Sequence, residues 1–155
     1  MIEGLVERGC GVYRSPVGSI YVEYSFEFIE RISFLPICRE IHEIPSRVFH
    51  LLEKFLRDYF YRGVWTIFDE LNWDVLGQRE ISILKRLQDT VPFGSTITYG
   101  ELYPPSPRYA GQVLKRNPFP IVVPCHRVVS KNGIGGFTPS VEIKQWLLRH
   151  EGVLF

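Results

Sequence analysis

The sequence predicts an α+β fold: an N-terminal antiparallel β-sheet subdomain with one helix, then a mostly helical C-terminal domain. Three observations carry that prediction. Residues 11–34 have the β-branched and aromatic style of strands, broken by turn residues. From Ser46 the apolar period becomes that of a helix. Beyond Gln78, helical segments are separated by turns rich in Pro and Gly.

Val12-Tyr13-Arg14 leads into Ser15-Pro16-Val17-Gly18, a turn by its Pro and Gly content. Ser19–Tyr24 and Ile29–Phe34 follow as strands of a hairpin or meander. Ser46 is a fit N-cap for a helix whose stripe is Val48, Leu52, Phe55 and Tyr59, widened by Leu51 and Leu56. Gly63 is its stop. Nothing catalytic stands out here, so residues 1–65 are expected to be a scaffold. Residues 66–77 show no clean period and are expected to link two subdomains, with their aromatics packed against one or both sides. The C-terminal domain is expected to span residues 78–155. It opens with a helix from Gln78 to Asp89 that places Ile81, Leu84 and Leu87 on one side and ends before Val91-Pro92-Phe93-Gly94.

Thr96–Leu102 opens a compact unit. Ser106-Pro107 reads as an N-cap with proline at the first helical position, and the helix runs to Arg116, stopping at Asn117-Pro118. Ala110, Val113 and Leu114 form its inner face, leaving Arg108, Gln112 and Lys115 outside and a bare backbone at Gly111. A short element, a tight turn and a helix with a polar-basic outer face have the spacing of a helix-turn-helix. Ile121-Val122-Val123, ended by Pro124, predicts a short buried strand whose ladder is cut. Val128-Val129 and a Gly-rich turn come next. The last helix spans Val141–His150, with Ile143, Trp146, Leu147 and His150 as its buried stripe, Lys144 near the edge and Gly152 as C-cap.

At 155 residues, 45% hydrophobic and 14% aromatic, the chain can build one ordinary domain or two small subdomains sharing an interface. No apolar run approaches the roughly 20 residues that cross a bilayer. The N-terminus lacks the basic start and apolar stretch of a secretory signal. A cytoplasmic protein without a membrane partner is therefore expected. Cys10, Cys38 and Cys125 form neither a disulfide framework nor a zinc signature, so no metal is expected. Cys10 and Cys38 could pair, and the sequence leaves that open. A formal net charge of +1 excludes global attraction to nucleic acid, so any such binding must come from a local patch.

The chemically suggestive stretch is Asn117–Thr138, which sets Cys125 beside His126 at a turn. A thiolate is the reactive form of cysteine, and a nearby imidazole or cation populates it. The dipeptide alone reads equally as a buried thiol beside a packed histidine, because nucleophile and base must be close in space rather than in sequence.

The wider context separates the two readings. Asn117-Pro118, Pro124-Cys125-His126-Arg127-Val128, Gly135-Gly136-Phe137 and Trp146–Gly152 occur in this order and together resemble the O6-alkylguanine-DNA alkyltransferase family. The resemblance runs from about Gln78 to Gly152, and Tyr13–Gly18 is similar to the family's N-terminal hairpin. It implies irreversible transfer of the alkyl group from guanine O6 in double-stranded DNA to Cys125, once per molecule, with no cofactor. The target base would be rotated out of the duplex. His126 would accept the thiol proton through a water, Glu151 would hold the imidazole, Tyr99 would protonate the leaving ring and Lys144 would stabilise the thiolate. Asn117 would brace the turn bearing Cys125. Pro120 would wall the alkyl pocket, and Thr138 and the backbone near Phe137 would contact O6. Arg108 would fill the gap in the base stack, with Gly111 and Lys115 at the phosphates. The protein would act as a monomer.

Two departures from the family pattern stand out. The Tyr99–Arg108 segment is short, which clips the first helix of the helix-turn-helix to about one turn. Phe137 stands where the family usually has Tyr, and Pro139 where it often has Gly. The competing reading is a lesion-binding sensor without transfer, against which the retained Cys125 argues.

Overall fold

The computed structural model describes residues 7–137 and 140–155. Strands β1 (Gly9–Ser15), β2 (Gly18–Tyr24) and β3 (Ile29–Ser33) form an antiparallel sheet in that order. The turn falls where the sequence put it, and the Ser15 hydroxyl donates to the Gly18 carbonyl at 2.7 Å to close it. Alternation along β2 puts Ile20, Val22 and Tyr24 on one face, and all three are fully buried.

Helix α1 (Arg47–Arg62) covers that face. Ser46 caps it, its Oγ accepting from the Phe49 amide at 3.2 Å, and Gly63 ends it in a left-handed conformation. Tyr24 and Phe49 stack with ring centroids 4.4 Å apart. A β-carbon on Gly11 would lie 2.3 Å from the Phe49 ring, so the missing side chain is what lets the helix settle on the sheet. The expected residues Val48, Leu52, Phe55, Leu56 and Tyr59 are buried, and Phe49 and Phe60 join them.

The segment between α1 and α2 (Gln78–Thr90) is stitched down on both sides. The Ile29 amide donates to the Glu70 carbonyl at 2.8 Å, and the Asn72 amide returns to the Ile29 carbonyl at 2.9 Å, so this stretch pairs along the outer edge of β3. The Ile32 amide on the same edge donates to Pro118 at 2.8 Å. Phe68 packs on Phe55, Trp73 packs edge-on against Phe119, and the buried Gln88 amide donates to the Phe68 carbonyl.

In α2 the buried apolar residues are Ile83, Leu84 and Leu87, while Ile81 is only half-buried. Contacts with both following helices rotate the buried stripe toward Ile83. Strand β4 (Ile97–Thr98) runs straight into α3 (Tyr99–Leu102), which is a single turn closed by a capping box between Thr98 and Glu101. Helix α4 (Pro107–Lys115) follows, capped by Ser106, with Ala110 and Val113 fully buried. Leu114, expected inside, is half-buried because it faces a pocket.

Residues Ile121–Val123 are a turn rather than the expected strand. The Val123 amide donates back to the Phe119 carbonyl at 2.8 Å, and Ile121 takes φ 72°. Buried turns and buried strands share the same unbroken apolar run, so periodicity could not separate them. The strand in this region is β5 (Val128–Val129), parallel to β4. In the last helix, α5 (Val141–His150), Lys144, Leu147 and Leu148 are buried, whereas Ile143, Trp146 and His150 are half-buried. The inward face is thus turned by one residue from the expected one and is centred on a lysine.

One hydrophobic cluster runs from Ile20 in the sheet to Leu147 in α5. Among the described residues no helix is long and apolar enough to cross a membrane. Cys10 and Cys38 are joined by a disulfide, and the Cys10 and His42 backbones exchange two hydrogen bonds, at 2.7 and 2.9 Å. A cross-link spanning 28 positions removes unfolded-state freedom. Reduction should lower the free energy of unfolding by about 3–4 kcal/mol, read from urea transitions with and without reductant.

Candidate nucleophile site

Cys125 opens a short 3-10 turn, Cys125–Arg127, held by an Arg127 amide bond to the Pro124 carbonyl at 2.9 Å. The turn before it is strained, since a β-branched residue rarely adopts the positive φ found at Ile121. Asn117 holds it: its Nδ2 donates to the Val123 carbonyl at 2.9 Å, and its Oδ1 accepts from the Phe119 amide at 3.0 Å. Trp65 adds a third tie, donating to the Ile121 carbonyl at 2.9 Å.

The Cys125 side chain, 8% exposed, sits in a pocket of about 510 Å³. Tyr99, Asn117, Pro120 and Phe137 contribute to its lining, with Gly111 and Lys115 from α4. Residues Arg31–Leu35 supply a wall from the N-terminal sheet, and Phe34 packs edge-on against Phe137. Burial raises the Cys125 thiol above its ordinary range. An Asn117 hydrogen bond, the Lys144 charge and nearby amides pull the other way without overcoming it. The resting sulfur is therefore a thiol that needs a base.

The next residue is an imidazole that can serve as one. His126 is fully buried, and its Nε2 lies 2.5 Å from Glu151 Oε2. With the Nε2 proton directed at a carboxylate, Nδ1 carries the lone pair. Nδ1 is the one buried side-chain nitrogen or oxygen, among the described residues, with no hydrogen-bond partner in the protein. Burial holds the imidazole below its ordinary pKa, against the pull of Glu151, so it rests neutral.

Glu151 is the hub. Its Oε1 accepts from Arg127 Nε at 2.7 Å and the Gly94 amide at 3.2 Å; its Oε2 accepts from His126, from Tyr59 at 2.7 Å and from Arg127 Nη2 at 3.3 Å. Arg127 is itself fully buried, bonded to the Val91 carbonyl and lying over the Trp65 ring at 4.2 Å. Burial alone would raise the Glu151 carboxyl, but His126 and Arg127 hold it at about 2.

Lys144 donates to the Val128 and Gly136 carbonyls at 2.6 and 3.0 Å, tying β5 to the Gly-rich loop. Burial brings its pKa down to about 8. Gly135 has φ 78°, and a β-carbon there would lie 2.8 Å from the Tyr99 hydroxyl and 3.2 Å from Lys144 Nζ. The glycine thus leaves room for both groups beside the pocket. Tyr99 is pushed up by burial, with a Gly136 backbone hydrogen bond opposing, so the phenol stays protonated.

Cys125, His126, Glu151, Asn117, Lys144, Tyr99, Pro120 and Phe137 thus converge, while Arg108 projects into solvent from the outer face of α4. Thr138 lies outside the described residues. Sequence reasoning missed Tyr59 and Arg127. Tyr59 lay unremarked in an apolar helical stripe, whereas Arg127 stood inside the quoted Pro-Cys-His-Arg motif. No three His, Cys, Asp or Glu side chains converge as a metal site among the described residues.

Residues 80–153 match the family described as 6-O-methylguanine DNA methyltransferase, DNA binding domain. A methylated-DNA–protein-cysteine methyltransferase of Metallosphaera sedula is 36% identical over 151 residues, which is 93% of each chain. The protein of that name from Thermococcus barophilus is 42% identical over 126 residues. That match spans 76% of this chain but 65% of the relative, just under two thirds of its length. Among solved structures, Mycobacterium tuberculosis OGT in complex with DNA superposes with a TM-score of 0.75 at 26% identity, covering 92% of both chains.

The depressed Glu151 carboxyl makes a prediction about acid stability. A group ordinarily near 4.5 and held at about 2 contributes stability that is present above the higher value and lost as pH falls through the lower. Urea unfolding across that interval should show a steeper acid loss for the wild type than for Glu151→Gln. At neutral pH the variant should lose about 3–5 kcal/mol, because Arg127 stays buried without its partner. Equal acid slopes would contradict this assignment.

Proposed function

The chain belongs to the methylated-DNA–protein-cysteine methyltransferase family, and from that premise we propose that it repairs DNA by moving the alkyl group of O6-alkylguanine onto its own Cys125. The observation that carries this reading is the buried thiol beside a neutral imidazole whose far nitrogen is held by Glu151, at a pocket able to take a base. The Cys125 proton passes through a bridging water to His126 Nδ1, whose lone pair no protein group occupies. The sulfur–carbon bond then forms as the O6–carbon bond breaks, and the electron pair moves into the guanine ring, which takes a proton from Tyr99. Lys144 supports the charge on sulfur while it lasts. Asn117 keeps the Cys125 turn in place against its strain.

A thiolate is a poor leaving group from the thioether so formed, so each molecule reacts once. The damaged base reaches Cys125 only out of the duplex, and unstacking costs a few kcal/mol. Arg108, exposed on α4, fills the space left behind, and Gly111 and Lys115 meet the phosphate backbone. Pro120 and Phe137 bound the alkyl group, and Thr138 contacts O6. Residues 1–65 act as a scaffold, 66–77 as the link and 78–155 as the DNA-binding and transfer domain of a cytoplasmic monomer that uses no cofactor. The one-turn α3 leaves α4 to carry most of the DNA contact.

Incubation with duplex bearing O6-methylguanine should replace the Cys125 thiol hydrogen by a methyl group, a net gain of one CH2 in the mass of the tryptic peptide containing Cys125. Cys125→Ser should leave the lesion intact. Lesion binding with an unmodified peptide would replace transfer with sensing. Arg108→Ala should slow transfer from duplex about 10- to 100-fold, the scale of the unstacking cost, and leave transfer from the free modified base within about twofold in stopped-time assays.

A further inference from the structure

Tyr59 belongs to the N-terminal scaffold, 92 positions from Glu151, yet its hydroxyl donates to the oxygen that receives His126 Nε2. From this geometry we infer that Tyr59 is a positioning residue for the transfer, its phenol setting the direction and charge of the carboxylate that holds His126. The inference rests on the proposed transfer to Cys125.

The surroundings leave the phenol little freedom. Tyr59 is fully buried, with its ring edge-on to His126, Phe93 and His150. Its backbone carbonyl accepts from His150 Nε2 at 2.7 Å, so α1 and α5 are tied at the same residue through both side chain and main chain. The hydroxyl could have pointed elsewhere only by losing a charge-assisted bond in a dry site.

The bond has a chemical consequence. Glu151 Oε2 shares its negative charge among the Tyr59 hydroxyl, His126 and Arg127 Nη2. A neutral donor draws charge from that oxygen without adding a cation. The less charge remains there, the less the carboxylate favours an imidazolium, and the wider the pH range over which Nδ1 can take the thiol proton. Arg127 in the same turn, Lys144 and His150 from α5, and the Gly94 amide also face this group. All remain when only the hydroxyl is removed. Burial drives the Tyr59 pKa well up, so the phenol is a donor throughout the working range.

Tyr59→Phe keeps the ring and removes the donor. The rate at Cys125 should be followed against pH with two reagents, duplex O6-methylguanine and iodoacetamide. The acid limb should move to higher pH with both, making the variant about 3- to 10-fold slower there and within about twofold of wild type on the alkaline plateau, with duplex affinity unchanged. Tyr24→Phe is the control, since Tyr24 is equally buried but its hydroxyl bonds, among the described residues, only to the Ile44 backbone. It should lose stability and keep the wild-type profile. Should Tyr59→Phe fold poorly, 3-fluorotyrosine at position 59, a stronger donor of nearly the same shape, should shift the acid limb to lower pH. Superimposable profiles for the Tyr59 variants, with only a lower Tm, would overturn the inference. A wild type inert toward lesion DNA would instead sink the repair reading, while the iodoacetamide profiles would still report on Tyr59.

Discussion

The site depends on a carboxylate and a guanidinium buried together. Glu151 and Arg127 lie out of reach of water, and an ion taken out of water costs several kcal/mol even after relaxation. That cost is tolerable only where each lone pair and each N–H finds a partner. Four regions of the chain supply those partners: α1 through Tyr59, the segment before β4 through Val91 and Gly94, the nucleophile turn through His126 and Arg127, and α5 through Glu151 itself. The electrostatic demand of one ion pair thus specifies where four otherwise distant segments meet. His126 inherits its tautomer from that arrangement.

A second constraint acts on Cys125 from the other side. The chain reverses at Ile121 in a conformation costing on the order of 1–3 kcal/mol, and Asn117 and Trp65 hold it there. Lys144 then clamps β5 to the glycine loop facing the sulfur. The sulfur is placed by hydrogen bonds to backbone groups of its turn, while burial and the Lys144 charge act on its proton in opposite directions.

Much of this was legible in the sequence where the signal is local. Ser46 and Gly63 bracketed α1, Ser106-Pro107 started α4, and α5 ran from Val141 to His150 as its period implied. The short Tyr99–Arg108 segment correctly implied a one-turn α3. Features set by tertiary context were not legible. Ile121–Val123 is apolar enough for a strand, and bonds from Asn117, Trp65 and the Val123 amide make it a turn. Lys144 looked peripheral because a lysine is rarely placed at the centre of a buried stripe, and here two carbonyls take two of its three donors. Tyr59 read as one more apolar position of a helix, since periodicity reports that a face is buried and says nothing of where a hydroxyl at its end will go. The Cys10–Cys38 pairing likewise needed three-dimensional proximity to decide.

The backbone bonds along the sheet margins have a bearing on solubility. A three-stranded sheet has two open edges, and unpaired strand edges are templates for joining other chains. Here β3 is occupied on its outer side at Ile29 by residues Glu70 and Asn72 and at Ile32 by Pro118, while β1 is met at Cys10 by His42. The crossing segment between the helices therefore works as a selvage as well as a connector, finishing the β3 margin so that it does not ravel into a neighbour.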